Sequence, residues 1–183
     1  QLLPNLHMSQ HPILFGRIFG LKMLLLKNKS SKRSLIAKLK QRLNAEPQFA
    51  TELLYEPCVQ CLVSRDPDLS KVVLDHSHLV NDIKFWYHFS QVSIHRVFQV
   101  SHLIDTEQHL KAKSILETIP YGHIRHGYKE FIELFVTFFK LRIAERLGEP
   151  TETLESEFQI YRTKIAYPIF TDAYFETYFQ DRK

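Results

Sequence analysis

Apolar residues recur along most of this chain at spacings of three and four, the spacing at which side chains share one face of an α-helix. In the second such stretch they fall at positions i, i+1, i+4 and i+8, as Leu35, Ile36, Leu39 and Leu43. The chain has only five glycines and eight prolines, too few for the many tight turns of a β-sandwich. The pattern therefore predicts an all-α protein.

Turn-forming residues divide the periodic stretches from one another. Glu46-Pro47 and Gly148-Glu149-Pro150 are expected to end helices, and Ser31 or Ser34 is expected to cap the second helix. The predicted helices cover about 12–27, 31–44, 48–65, 69–75, 81–104, 109–119, 128–147, 151–167 and 168–180.

Two of the predicted helix pairs resemble each other. Each has a long helix, a tight turn and a shorter helix, and the turns near Asp105 and Glu149 are offset by about 43 residues. Such hairpins cannot bury their apolar faces alone, so we expect stacked antiparallel hairpins, as in a tetratricopeptide-like α-solenoid. An irregular helical bundle is the alternative. We expect a single domain over 1–183, in which basic helices in 12–45 pack on helical repeats in 48–180.

Positive charge is concentrated at the front of the chain. Residues 17–42 contain nine Lys and Arg, and the first 50 residues contain one acid, Glu46. Such a segment suits a polyanion, an acidic peptide or an anionic membrane surface, although a solvated helix face is the simpler interpretation. No aromatic platform accompanies the basic residues, so sequence-specific reading of nucleic acid is not supported. The candidate anion-binding residues are Lys32, Arg33, Lys38, Lys40 and Arg42.

A row of polar residues marks the helix predicted over 81–104. They recur at spacings of three and four, so on a helix they fall within roughly 80° of one another. Imidazoles and carboxamides both donate and accept hydrogen bonds, which suits them to grip a peptide backbone. A lysine of the helix predicted over 128–147 would stand beside them in a curved array. The predicted ligand-binding residues are Lys84, His88, Gln91, His95, Gln99 and Lys140.

The part of this set on the 81–104 helix, which we call the polar row, has two other interpretations. It is also typical of the solvated side of an amphipathic helix with no ligand. Its histidines titrate near neutral pH, so several of them on one stripe would suit a pH sensor. A shared metal is not expected, because residues seven apart such as His88 and His95 lie about 10 Å apart.

Cys58 and Cys61 form the one pattern with metal or redox associations. Together with His76 and His78 they give the ligand types of a zinc site, although the His-x-His spacing is not usual for its second half. A small zinc-stabilised helical domain is therefore an alternative, and a buried pair of small apolar side chains is the default.

Other features limit the class of protein. No nucleophile elbow, phosphate-binding glycine loop, dinucleotide motif or zinc-protease motif occurs, so neither an enzyme nor a cofactor is predicted. The longest wholly apolar run near the front, residues 23–26, is far shorter than the roughly 20 residues that cross a membrane. Two cysteines without an export signal indicate a cytoplasmic protein.

Four short segments near the end of the chain carry a family resemblance. They are AKSILE at 112–117, the LGE at 147–149 that closes the helix containing Phe131, FQIY at 158–161 and YFETYF at 174–179. Together they resemble the ligand-sensing domain of Rgg/MutR-type quorum-sensing transcriptional regulators from Gram-positive bacteria. The resemblance covers about 70 of the 183 residues.

That resemblance implies a right-handed helical array that binds a short peptide pheromone on its concave face and forms a homodimer through its C-terminal region. Nucleic-acid binding would belong to the family's N-terminal helix-turn-helix domain, which no segment here matches. A sensor domain cut from a longer protein would agree with a first residue of Gln1. The combined prediction is a peptide-sensing, ligand-binding domain of a regulatory protein, with a basic module for nucleic acid or an anionic membrane as the alternative.

Overall fold

A computed structural model describes residues 11–80, 88–124, 129–165 and 169–180, and all regular secondary structure in these ranges is helical. The all-α prediction is confirmed. The chain divides into two compact units, Gln1–Phe98 (unit 1) and Gln99–Lys183 (unit 2). The α-helices are α1 (Pro12–Leu25), α2 (Lys29–Ala45), α3 (Ala50–Ser64), α4 (Pro67–Asp75), α5 (His88–Asp105), α6 (His109–Glu117), α7 (Lys129–Leu147), α8 (Glu152–Lys164) and α9 (Asp172–Gln180).

Side-chain caps and one glycine set several helix ends. The Asn28 side chain accepts a hydrogen bond from the Ser30 N–H at 2.8 Å, so α2 begins before Ser31 and Ser34, and the predicted serine cap is wrong. Asp66 accepts from the N–H groups of the first turn of α4 in the same way. Gly148 follows α7 with a φ of +68°, a conformation that costs glycine little and ends the helix.

Two glycines on α1 let this helix pack closely on α3 in unit 1. A Cβ atom added to Gly16 would lie 3.4 Å from the Glu52 carbonyl oxygen, and one added to Gly20 would lie 3.3 Å from Glu56 Oε2. Larger side chains would therefore separate the helices. The apolar side chains that α1 buries are Phe15, Ile18, Phe19 and Met23.

The core of unit 2 is built around α7. This helix buries side chains around most of its circumference, as its sequence indicates, and it packs against α6 and α8. Phe135 lies within 6.3 Å, between ring centroids, of Phe170, Phe175 and Tyr178, which fixes α9 against α7. The Tyr178 hydroxyl is buried and hydrogen-bonded to the Ser101 hydroxyl.

Among the described residues, no helix is both long enough and apolar enough to cross a membrane.

We predict that a Gly16→Leu substitution destabilises the protein. Overpacking costs about 1–3 kcal/mol, and the better helix propensity of leucine returns up to about 1 kcal/mol, so we expect a net loss of about 1–2 kcal/mol in the free energy of unfolding. Urea unfolding measures the change. Gly122→Leu is the matched control, because nothing lies within 4 Å of a Cβ atom at Gly122. Equal effects of the two substitutions would contradict the close packing of α1 on α3.

Candidate functional site

The first three residues of the polar row that the structure describes are buried. His88, Gln91 and His95 expose only 4%, 6% and 3% of their surfaces, and Gln99 is half-buried. Lys84 lies outside the described residues. A peptide therefore has no direct access to the three buried side chains as they stand, whereas the sequence predicts that they grip a peptide backbone.

The two buried histidines of the polar row make polar contacts within unit 1. His88 Nε2 lies 3.3 Å from Glu52 Oε1 on α3, and His95 Nε2 lies 3.1 Å from the Ser77 hydroxyl oxygen, in the short 3-10 helix that follows α4. The Gln91 side-chain oxygen has no hydrogen-bond partner among the described residues. The partners Glu52 and Ser77 stand 36 and 18 residues from their histidines, a distance over which helical periodicity predicts nothing.

Burial also changes the acid–base chemistry of the polar row. Desolvation lowers the pKa of His95 to about 4, and the positive charge of Arg96 contributes in the same direction. A His95 imidazole that stays uncharged down to this pH does not sense changes near neutrality. His95 therefore gives no support to the pH-sensor interpretation.

The remaining predicted ligand residues belong to unit 2. Gln99 lies on the C-terminal half of α5, and Lys140 is half-buried on α7. The predicted ligand-binding residues are therefore divided between the units, with His88, Gln91 and His95 in unit 1 and the other two described residues in unit 2.

The cysteine and histidine set does not form a metal site. Among the described residues, no group of three or more His, Cys, Asp or Glu side chains is placed to hold a metal ion. The His76 ring nitrogens lie 2.8 Å from the Val72 carbonyl oxygen and 3.2 Å from Asn44 Oδ1. The structure gives no support to the zinc-stabilised alternative.

Cys58 and Cys61 are buried, unbonded thiols on α3. Burial raises the pKa of Cys58 well above its usual value, and proximity to Cys61 adds to the effect. Burial also raises the pKa of Cys61 to about 12, while a hydrogen bond with Ser70 opposes the shift. Both thiols therefore stay protonated, which disfavours metal binding and nucleophilic chemistry.

The predicted anion-binding residues of α2 divide into two groups. Arg33 pairs with Asp68 at 3.1 Å, and Arg42 pairs with Glu46 at 3.2 Å while its guanidinium lies 4.7 Å from the Phe15 ring centroid. The three lysines make no ion pair with a described residue, and two of them are exposed. These lysines are Lys32, Lys38 and Lys40.

A cleft in unit 2 is the feature that sequence reasoning missed. It lies between α7, α8 and α9 and has a volume of about 800 Å³, within the usual size range of ligand pockets. Its apolar lining comes from Phe138 and Leu141 on α7, Phe158 on α8 and Phe175 on α9. The Phe138 ring centroid lies 5.4 Å from that of Phe158 and 4.7 Å from that of Phe175, so the rings form one continuous apolar floor.

The rim of the cleft carries an excess of negative charge. Three carboxylates, Glu155, Asp172 and Glu176, line it together with one cation, Arg142, and the Asp172 carboxylate pairs with Arg162 at 3.5 Å. The Arg142 guanidinium already donates to Glu145 Oε2 at 2.7 Å, and the Glu176 carboxylate makes no ion pair with a described residue. Such a rim favours a ligand with a positive group.

Each contributing helix shows only part of this cleft in its sequence. Phe158 is the one described residue of α8 that is buried, and the α8 periodicity marks it as a core contact rather than as a cleft floor. The signal lies in the convergence of three aromatic residues from separate helices, which becomes visible only when the helices are assembled.

Comparison of the chain with protein-family models, curated proteins and solved structures finds no match. The similarity to the sensing domain of Rgg/MutR-type regulators stays a prediction from the sequence.

We predict that acid destabilises the folded chain through His95. Since its pKa is lowered by folding, the unfolded chain binds the proton more readily, and the free energy of unfolding falls as pH drops from 6.5 towards 4. A His95→Gln variant cannot titrate, so it should lose less stability over this range, by up to about 3 kcal/mol. Urea unfolding at several pH values measures the difference.

The control for this experiment is His78→Gln, since the His78 side chain is exposed. This variant should follow the pH dependence of the wild type. If His95→Gln also follows the wild-type curve, the buried neutral imidazole is not a source of acid sensitivity.

Proposed function

We propose that this chain is a peptide-sensing, ligand-binding domain of a regulatory protein, and that the peptide occupies the cleft between α7, α8 and α9. The observation that carries the proposal is the combination in one cleft of an aromatic floor and an acidic rim. The resemblance to Rgg/MutR-type regulators supplies the expectation of a regulatory role.

The chemistry of the cleft favours a short peptide with apolar and basic groups. Phe138, Phe158 and Phe175 expose only 3%, 7% and 3% of their surfaces, so apolar side chains of the peptide would cover only the small part of each ring that faces the cleft. The Ser156 hydroxyl and the Gln159 carboxamide line the same cleft and offer hydrogen bonds to a peptide backbone. A terminal amine, lysine or arginine of the peptide would meet the carboxylates of the rim.

Access favours this cleft over the polar row. Reaching His88 or His95 would require α5 to separate from the groups that bury it, and the contacts with Glu52 and Ser77 would be lost. The rim residues Glu155, Gln159 and Glu176 are already exposed, so a ligand can contact them without opening the core.

We predict that the chain prefers basic to acidic apolar peptides, and that Glu176→Lys reverses this preference. The probes are two hexapeptides labelled at the C-terminus, each with two leucines and two phenylalanines, one with two lysines and the other with two glutamates. We expect Glu176→Lys to weaken binding of the lysine peptide about tenfold, because one attraction at the rim becomes a repulsion. Fluorescence anisotropy measures both affinities.

Glu157→Lys is the matched control for the cleft. Glu157 lies on α8 and is exposed, as Glu176 is on α9, but it does not line the cleft. The same change in net charge should therefore leave peptide binding nearly unaltered. Equal losses in the two variants would mean that only net charge matters. The proposal is rejected if the wild type binds neither peptide or binds both equally.

A further inference from the structure

One side of α1 carries apolar side chains that the folded chain leaves open. Leu14, Leu21, Leu24 and Leu25 expose 49–58% of their surfaces. At 100° per residue these four positions fall within an arc of about 100°, away from the buried side of the helix that contains Phe15, Phe19 and Met23. We call this arc the leucine face.

The leucine face is surrounded by positive charge. Arg17 is exposed within the same arc, Lys22 stands on the flank of α1, and Lys27 and Lys29 follow the end of the helix. None of these four cations forms an ion pair with a described residue. The segment from 11 to 45 contains no Asp or Glu, so no acidic side chain from within it offsets this charge.

We propose that the leucine face docks on a membrane surface rich in anionic lipid. In this arrangement α1, about 21 Å long, lies parallel to the surface, and its leucines enter the boundary between headgroups and acyl chains. The aliphatic stem of Arg17 lies along this apolar layer while its guanidinium reaches the phosphates. The exposed lysines Lys27 and Lys29, which follow α1, add to the attraction.

The same observations disfavour a second copy of the chain as the occupant. Two copies meeting through their leucine faces would bring together two segments that each carry nine Lys and Arg residues and no acid between 11 and 45. Like charges placed face to face oppose association. A negatively charged surface is attracted by the same residues.

A protein partner fits less well than a lipid surface. Protein interfaces take most of their binding energy from Trp, Tyr and Arg anchors that fill pockets, and leucine is under-represented among such residues. The leucine face is a convex row of aliphatic side chains on one helix and has no aromatic anchor. A fluid apolar layer accepts such a row without a shaped pocket.

The test is binding of the full chain to vesicles of phosphatidylcholine, with and without about one-third phosphatidylserine. We expect binding only to the anionic vesicles. Replacing Leu14, Leu21 and Leu25 together by Gln should weaken binding by roughly a hundredfold, because the apolar anchor is lost. Replacing Arg17 and Lys22 together by Gln should weaken it by roughly tenfold.

Each set has a matched control in unit 2. Leu110, Ile160 and Ile169 are exposed apolar residues, and their joint replacement by Gln should leave vesicle binding unchanged. Joint replacement of Lys111 and Arg146 by Gln is the matched control for the Arg17 and Lys22 variant, since both control side chains are exposed. It should also leave vesicle binding unchanged. Circular dichroism of each variant checks that it is folded.

Four results would overturn the proposal. The first is no vesicle binding by the wild type, and the second is undiminished binding by the triple leucine variant. The third is self-association that the leucine substitutions abolish while vesicles are not bound, which would assign the face to a second copy. The fourth is binding to duplex DNA, without vesicle binding, that the leucine substitutions leave unchanged.

Discussion

His88 of α5 and Glu52 of α3 form a largely buried polar contact in unit 1. The position of the surrounding helices is restricted by contacts of this kind. A buried polar group costs free energy unless it finds a partner, and both α3 and α5 bury several such groups. The contacts of His88 with Glu52 and of His95 with Ser77 connect α5 to α3 and to the turn after α4. They restrict how α5 can lie in unit 1, since a shift along its axis would leave an imidazole or a carboxylate unpaired in the interior.

The close packing of α1 also restricts the position of α3. Gly16 and Gly20 allow α1 to lie directly over a stretch of α3 that contains Glu52 and Glu56. Because glycine adds no side chain at this contact, the larger residues of α1 are distributed between the core and the opposite, exposed arc. The leucine face is the side of α1 that stays exposed when Phe15, Phe19 and Met23 are buried.

Much of the fold could be predicted from the sequence because helical periodicity is a local property. The bounds of α3, α6 and α7 lie within two residues of those predicted from spacing and turn chemistry. The polar row shows where this reasoning fails. Polarity of a helix face indicates solvent only when no other helix supplies partners, and those partners came from α3 and from the turn near Ser77. The cleft was not predictable for a related reason, since each of its aromatic rings is an ordinary apolar position on its own helix.

The two proposed binding surfaces have opposite charge and lie on different units. The cleft in unit 2 has an acidic rim around an aromatic floor, whereas the leucine face in unit 1 is bordered by cations that form no ion pair with a described residue. The overall net charge of +4 conceals this division. A small basic peptide and an anionic surface therefore need not compete for the same residues.

The two thiols on α3 give unit 1 an internal reporter of its own opening. Cys58 and Cys61 are enclosed and protonated in the native state, so an alkylating reagent reaches a reactive thiolate only after the helices around α3 have separated. Their rate of modification would follow local opening of that unit without any introduced probe. Unit 2 has no cysteine, so the readout is confined to one half of the chain.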